Sequence, residues 1–133
     1  AEVTDRIDSN RVHFLGRIPY QSFVAVLQIS SAHVYLTYPF VLSWSMLEAM
    51  STGALVIGSR TPPVEEVICH GKNGLLVDFF SPDELTATVD EVLSHPDRMQ
   101  AIRIQARQTI VERYDLQQVC LPQQLSLIHN LHK

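Results

Sequence analysis

Four short apolar runs, Val12–Leu15, Val34–Leu36, Leu55–Gly58 and Leu75–Val77, punctuate the chain, and in the segments between them apolar residues recur every three or four positions. That is the pattern of strands alternating with amphipathic helices. Leu55, Val56 and Ile57 are apolar at consecutive positions, as a parallel strand covered on both faces requires. Phe23, Val24, Val26, Leu27 and Ile29 predict a helix running from a first turn at Pro19 to Ser30. Met46, Leu47, Ala49 and Met50 predict a second, with Ser43 as N-cap and Gly53 as left-handed C-cap. Thr61-Pro62-Pro63 forces a turn before a short helix over Val64–Cys69 that ends at Gly71. Asn73-Gly74 then reads as a tight turn with a positive φ at Gly74.

The clearest helix start is Ser81-Pro82-Asp83-Glu84, which combines an N-cap serine, proline at the first helical position and glutamate at the third; this helix continues to about His95. Pro96 opens the next helix, to about Tyr114, with Met99, Ile102, Ala106, Ile110 and Val111 on one face. A last helix spans Leu116 to Leu131, bent at Pro122. Strand–helix alternation with right-handed crossovers predicts an α/β fold, a partial Rossmann-like parallel sheet of about four strands flanked by helices, with helices closing the C-terminus.

With 133 residues and 46% hydrophobic content the chain buries one core. The apolar runs fall far short of the ~20 residues a bilayer span requires, and no secretory signal opens the sequence, so a soluble, cytoplasmic protein is expected. Net charge is −4 and the ten Lys and Arg are scattered, which offers nucleic acid no basic stripe. Cys69 and Cys120 lack metal-like spacing and read as ordinary thiols. The histidines form no spaced set suggesting zinc, and His13 and His33 read as satisfied strand residues.

Glu48 is the only charge in the helix that feeds the Leu55–Gly58 strand, and a carboxylate near a strand end in an open α/β sheet stands where ligands bind. Its neighbours sharpen this. Leu47-Glu48-Ala49-Met50-Ser51-Thr52-Gly53-Ala54-Leu55-Val56-Ile57, Val64-Glu65-Glu66-Val67-Ile68 and Gly71-Lys72-Asn73-Gly74-Leu75-Leu76-Val77, preceded by Arg11–Pro19 and Ala32–Leu36, resemble in content and order the signature of retaining family 4 glycosyltransferases.

The resemblance covers roughly residues 11 to 95 and implies the donor half of an enzyme with two Rossmann-like domains. Residues 1–133 would be a fragment of its nucleotide-sugar-binding C-terminal domain, without the acceptor-binding N-terminal domain and without the basic loop that neutralises the donor diphosphate. The chain's first residue, Ala rather than Met, agrees with a processed chain or a piece of a longer one. The resemblance further implies a nucleotide-diphosphate sugar as substrate, no metal or other cofactor, and a cytoplasmic location, peripheral at the inner membrane for the whole protein. A sheet edge left uncovered predicts self-association or a terminal segment folded over it.

In that family two glutamates stand eight apart, the first on the transferred sugar and the second on the nucleotide ribose. Glu48 matches the second. A carboxylate suits vicinal hydroxyls because it accepts two charge-assisted hydrogen bonds. Counting back eight gives Phe40, which has no acceptor for a hydroxyl, and the usual Gly-Phe-Gly is here Val41-Leu42-Ser43. Either the loop Tyr38–Trp44 serves an unusual donor, with Phe40 or Trp44 stacking on a base or sugar face, or the domain binds without turnover. The backbone N–H groups of Leu42, Ser43 and Trp44 are placed to hold diphosphate. Gly16, Arg17 and Ile18 match the loop lining the nucleobase, where Arg17 either stacks, meets a phosphate or is solvated. Thr37 ends its strand near the phosphates or simply satisfies that end. Glu66 matches a carboxylate at a helix start. Alternatives to a transferase are a nucleotide-sugar epimerase of the same fold and a non-catalytic nucleotide-binding or interaction module.

Overall fold

The computed structural model describes residues 7–38 and 41–131. The elements are α1 (Tyr20–Ile29), β1 (His33–Tyr35), α2 (Trp44–Thr52), β2 (Val56–Ser59), α3 (Pro62–Glu65), β3 (Leu75–Val77), α4 (Pro82–Ser94), α5 (Pro96–Tyr114), a π-helical turn over Leu116–Cys120 and α6 (Leu121–Leu131). Three parallel strands form one sheet in the order β1-β2-β3.

Successive side chains of a strand point to opposite faces, and the consecutive apolar residues of β2 use both. Val56 packs with Leu27, Met46, Met50, Val64, Ile68 and Leu76 on the side covered by α1, α2 and α3. Leu55 and Ile57 pack with Leu75, Val77, Val92 and Met99 on the side of α4. α5 serves both layers, placing Met99 in one and Ala106 and Ile110 in the other. Each fully buried Leu, Ile, Val or Met contributes about 1.5–3 kcal/mol. The caps expected for α2 and α4 are realised as read. Ser43 accepts from the N–H of Ser45, Gly53 closes α2 at φ 81°, and Ser81 accepts from the N–H of Glu84. The Glu84 carboxylate reaches past the cap to the N–H of Asp78 (2.8 Å), tying the end of β3 to α4.

Several expectations are corrected. Val12–Leu15 forms no strand: among the described residues it has no ladder partner, Val12, Phe14 and Leu15 stay exposed, and its backbone bonding there is confined to the turn in which Arg11 and Val12 donate to the Asp8 carbonyl. Apolar content alone does not make a strand when no paired neighbour receives it. His13 is accordingly exposed. Nor is His33 satisfied. Its Nε2 is buried without a partner, and burial lowers the imidazole pKa.

Pro19 is the N-cap of α1 rather than part of its first turn. α3 starts earlier than Val64, because the fixed φ of Pro62 and Pro63 initiates it, and Glu66 is its C-cap, so the acidic residue in its first turn is Glu65. Gly71, not Gly74, has positive φ, at 75°. Gly74 is required for space, since a Cβ there would lie 2.9 Å from Cγ2 of Ile68. On α5, Val111 faces solvent and Thr109 is buried instead. Beyond Tyr114, a π-helical turn over Leu116–Cys120 leads directly into α6, whose second residue is Pro122.

Candidate functional site

Glu48 sits in the middle of α2, half-buried, because Met46, Ala49 and Met50 turn the opposite face of that helix into the core. Trp44, one helical turn earlier, lies on the same side as Glu48 and is 81% exposed. Together with Tyr20, Leu47, Ile110 and Tyr114 they line a largely apolar groove of about 540 Å³. Tyr20, the exposed first residue of α1, shares the groove with Glu48, and that carboxylate, by its proximity as a hydrogen-bond acceptor and by its negative charge, raises the phenol pKa. Gly16 adopts φ 59°, and the exposed loop Gly16–Pro19 therefore delivers the chain to Tyr20 at the Glu48 carboxylate. Arg17 is exposed and Ile18 half-buried. The structure thus places Trp44 and Glu48 on one groove, while Gly16, Arg17 and Ile18 precede Tyr20 in the chain and are not among the residues that line it.

Thr37 belongs to a different cluster at the carboxyl end of the sheet. Its N–H donates to Ser59 Oγ (3.0 Å) and its carbonyl accepts from the same hydroxyl (2.7 Å), so its backbone serves strand-end bonding. Ser59 is fully buried at the end of β2. Of the three N–H groups proposed for phosphate, that of Ser43 is engaged by Tyr35 Oη (2.9 Å), which fixes where the loop enters α2. Leu42 packs against the core and Val41 is 75% exposed. Phe40 lies outside the described residues.

Sequence reasoning missed Tyr20 and Ser59. An aromatic two positions after the Gly16–Ile18 loop was a signal for the first; a lone serine ending an apolar strand carries none. Two of the four arginines of α5 are structural: Arg103 donates to the carbonyls of Ser30 and Ser31 (2.8 and 2.7 Å), and Arg107 to that of Ser51. Among the described residues, no group of three His, Cys, Asp or Glu is placed to hold a metal ion, and no helix is long and apolar enough to cross a membrane. The arrangement offers a carboxylate acceptor between two aromatic rings at the rim of an apolar groove. A carboxylate so placed can accept hydrogen bonds from hydroxyls, and an exposed aromatic ring beside it can offer a stacking face.

Comparison with known proteins gives three kinds of likeness. The family described as Glycosyl transferases group 1 matches residues 3–109. An uncharacterized glycosyltransferase of Methanocaldococcus jannaschii is 24% identical over 108 residues, which is 80% of this chain and 28% of that protein. The Anabaena protein HepE in complex with UDP-glucose superposes with a TM-score of 0.81 at 22% identity, over 92% of this chain and 33% of its own. The sucrose-phosphate synthase of Thermosynechococcus elongatus superposes at 0.82, also at 22% identity, over 93% and 31%. The chain therefore spans about a third of the length of these proteins.

Proposed function

Because the chain belongs to the group 1 glycosyl transferase family, we propose that it forms the nucleotide-sugar-binding side of a retaining enzyme that transfers a sugar from a nucleotide diphosphate to an acceptor. The observation that carries this reading is the Glu48 carboxylate at the rim of the groove, faced by Tyr20 and flanked by Trp44. In this reading Glu48 accepts from the two ribose hydroxyls, and the base lies along the Gly16-Arg17-Ile18 loop. Trp44 supplies a stacking face. The N–H groups of Leu42 and Trp44, which have no partner among the described residues, meet the diphosphate, with Ser43 reserved for Tyr35. That HepE is solved with UDP-glucose supports a nucleotide sugar as the ligand class.

The role of Glu48 is binding and orientation. A carboxylate held on ribose is remote from the anomeric carbon and needs no proton transfer to do its work. Reaction in this reading proceeds without a metal, in the cytoplasm, with the acceptor held by a separate N-terminal domain of the same protein. The outer edge of β1, which has no ladder partner among the described residues, is covered by further strands of the whole protein, by a terminal segment or by self-association.

The test is calorimetric titration of the full-length protein with UDP, GDP and ADP, wild type against Glu48→Gln. The substitution keeps shape and removes charge, so affinity for the preferred nucleotide should fall about tenfold to hundredfold. Unchanged affinity, or no nucleotide binding by the wild type, refutes the assignment. A second reading, nucleotide binding without turnover, is favoured by one observation: Phe40 stands eight positions before Glu48, where the resembled family carries the glutamate that touches the sugar. Sugar transfer by the full-length protein excludes it.

A further inference from the structure

Three aromatic rings converge outside both hydrophobic layers. Tyr38 follows β1, and Phe79 and Phe80 follow β3; the Tyr38 ring centroid lies 5.5 Å from that of Phe79 and 5.2 Å from that of Phe80, and the two phenylalanines are 5.0 Å apart. β1 and β3 are not neighbours, since β2 runs between them. The cluster therefore bridges the carboxyl end of β2, the edge of a parallel sheet where ligand crevices form. Tyr38 is 58% and Phe80 71% exposed. Such rings gain little stability there, because most of their apolar surface remains in water.

The loop that presents the two phenylalanines is nonetheless held by hydrogen bonds. Phe80 N–H donates to Asp78 Oδ1 (2.8 Å), Ser81 N–H to the Asp78 carbonyl (3.2 Å) and Asp78 N–H to Glu84 Oε2 (2.8 Å). Arg60 donates to the Leu76 carbonyl (3.1 Å) and pairs with the other Glu84 oxygen at 3.7 Å. Asp78, Arg60 and Glu84 thereby form a charged margin beside the rings.

We propose that Tyr38 and Phe80 form a platform for a hexopyranose ring, a subsite that rests on the sugar-transfer reading above and adds the sugar's own contact to it. A pyranose has an apolar face of C–H groups and a rim of hydroxyls. An aromatic face takes the first, and the carboxylates and guanidinium at the margin take the second. A protein partner fits less well. Three rings supply a small fraction of the ~800 Å² per partner that a stable interface buries, but match the footprint of one sugar.

The experiment is saturation-transfer NMR of the full-length protein with methyl glucopyranoside and methyl galactopyranoside, with sorbitol as an open-chain polyol. Binding of a pyranoside but not of sorbitol, weakened about fivefold or more by Phe80→Ala and retained by Phe80→Trp, supports the platform. Displacement by the preferred nucleotide sugar but not by its nucleotide diphosphate identifies the ring as the donor's; displacement by neither identifies it as an acceptor's. Both outcomes support the subsite. Absence of pyranoside binding, equal binding of sorbitol, or indifference to Phe80→Ala overturns it. So does loss of self-association in Phe80→Ala without any pyranoside binding, which would make the cluster a protein contact. UDP, GDP and ADP titrated in parallel separate the two readings: nucleotide binding without a pyranoside response leaves Glu48 in its role and removes only the platform.

Discussion

Replacing Asn73 by alanine should destabilise this fold more than any other single polar truncation described here, because one buried side chain closes the loop between α3 and β3. Asn73 is 5% exposed. Its Oδ1 accepts from the Cys69 N–H (2.7 Å), and its Nδ2 donates to the Val67 carbonyl (3.0 Å) and to Thr109 Oγ1 (3.1 Å). Thr109 keeps its own donated bond to the Gln105 carbonyl (2.8 Å), so losing Asn73 costs it little. The Cys69 N–H and the Val67 carbonyl lose their partners. Val67 is buried while Cys69 is exposed, so water rescues the second more readily than the first. At about 1–3 kcal/mol for each unsatisfied buried group, partly relieved at Cys69, the total is about 2–4 kcal/mol.

That is a large share of the 5–15 kcal/mol that holds a typical domain together. Urea denaturation should show a lower midpoint with an unchanged slope, and melting should shift down by about 8–15 °C. A loss below about 0.5 kcal/mol would refute the claim that these bonds close the loop. Asn73→Asp sharpens the test. An ionised carboxylate cannot donate to the Val67 carbonyl, so burial raises its folded-state pKa above the usual ~3.9 and only its neutral form restores a donor. The folded variant then binds more protons than the unfolded one, and its stability deficit against wild type should shrink as pH falls through that raised value.

Gly74→Ala should cost on the order of 1–3 kcal/mol, read by the same denaturation assay, because the new Cβ would meet Ile68 Cγ2 at 2.9 Å and the Val56 carbonyl at 3.3 Å; a neutral outcome would mean that Ile68 moves freely. His33 has a folded pKa lowered by burial, so the unfolded chain takes up its proton first. The wild type should lose stability as pH falls below about 6.5, and His33→Gln should flatten that slope in pH-dependent melting. The 133-residue chain alone should transfer no sugar, and product formation in an assay with any nucleotide sugar and acceptor would contradict the need for a second domain. Val34→Lys, at the outer edge of β1, should reduce self-association in sedimentation velocity, and an unchanged profile would show that this edge is not the contact.

Local chemistry determined much of this protein from the chain alone. Ser43, Gly53, Ser81, Pro82 and Pro96 mark helix ends through hydrogen bonds and φ preferences that act within a few residues, and the apolar triplets of β2 and β3 declare strands buried on both faces. The family is likewise legible, because its blocks recur in order along the sequence. Glu48 is conspicuous for the same reason, being the only charge on its helix. What required the tertiary structure were the facts that depend on partners distant in sequence. Val12–Leu15 has strand composition but no ladder to join. Gly74 is needed because Ile68 and Val56 leave no room for a Cβ, although its φ is unremarkable. Val111 and Thr109 exchange places because Asn73, 36 positions before Thr109, needs its hydroxyl. Tyr20 meets Glu48, and Tyr38 meets Phe79 and Phe80 across the intervening β2. Each depends on which groups distant in sequence the packed sheet and helices bring within a few ångströms, and no periodicity along the chain encodes it.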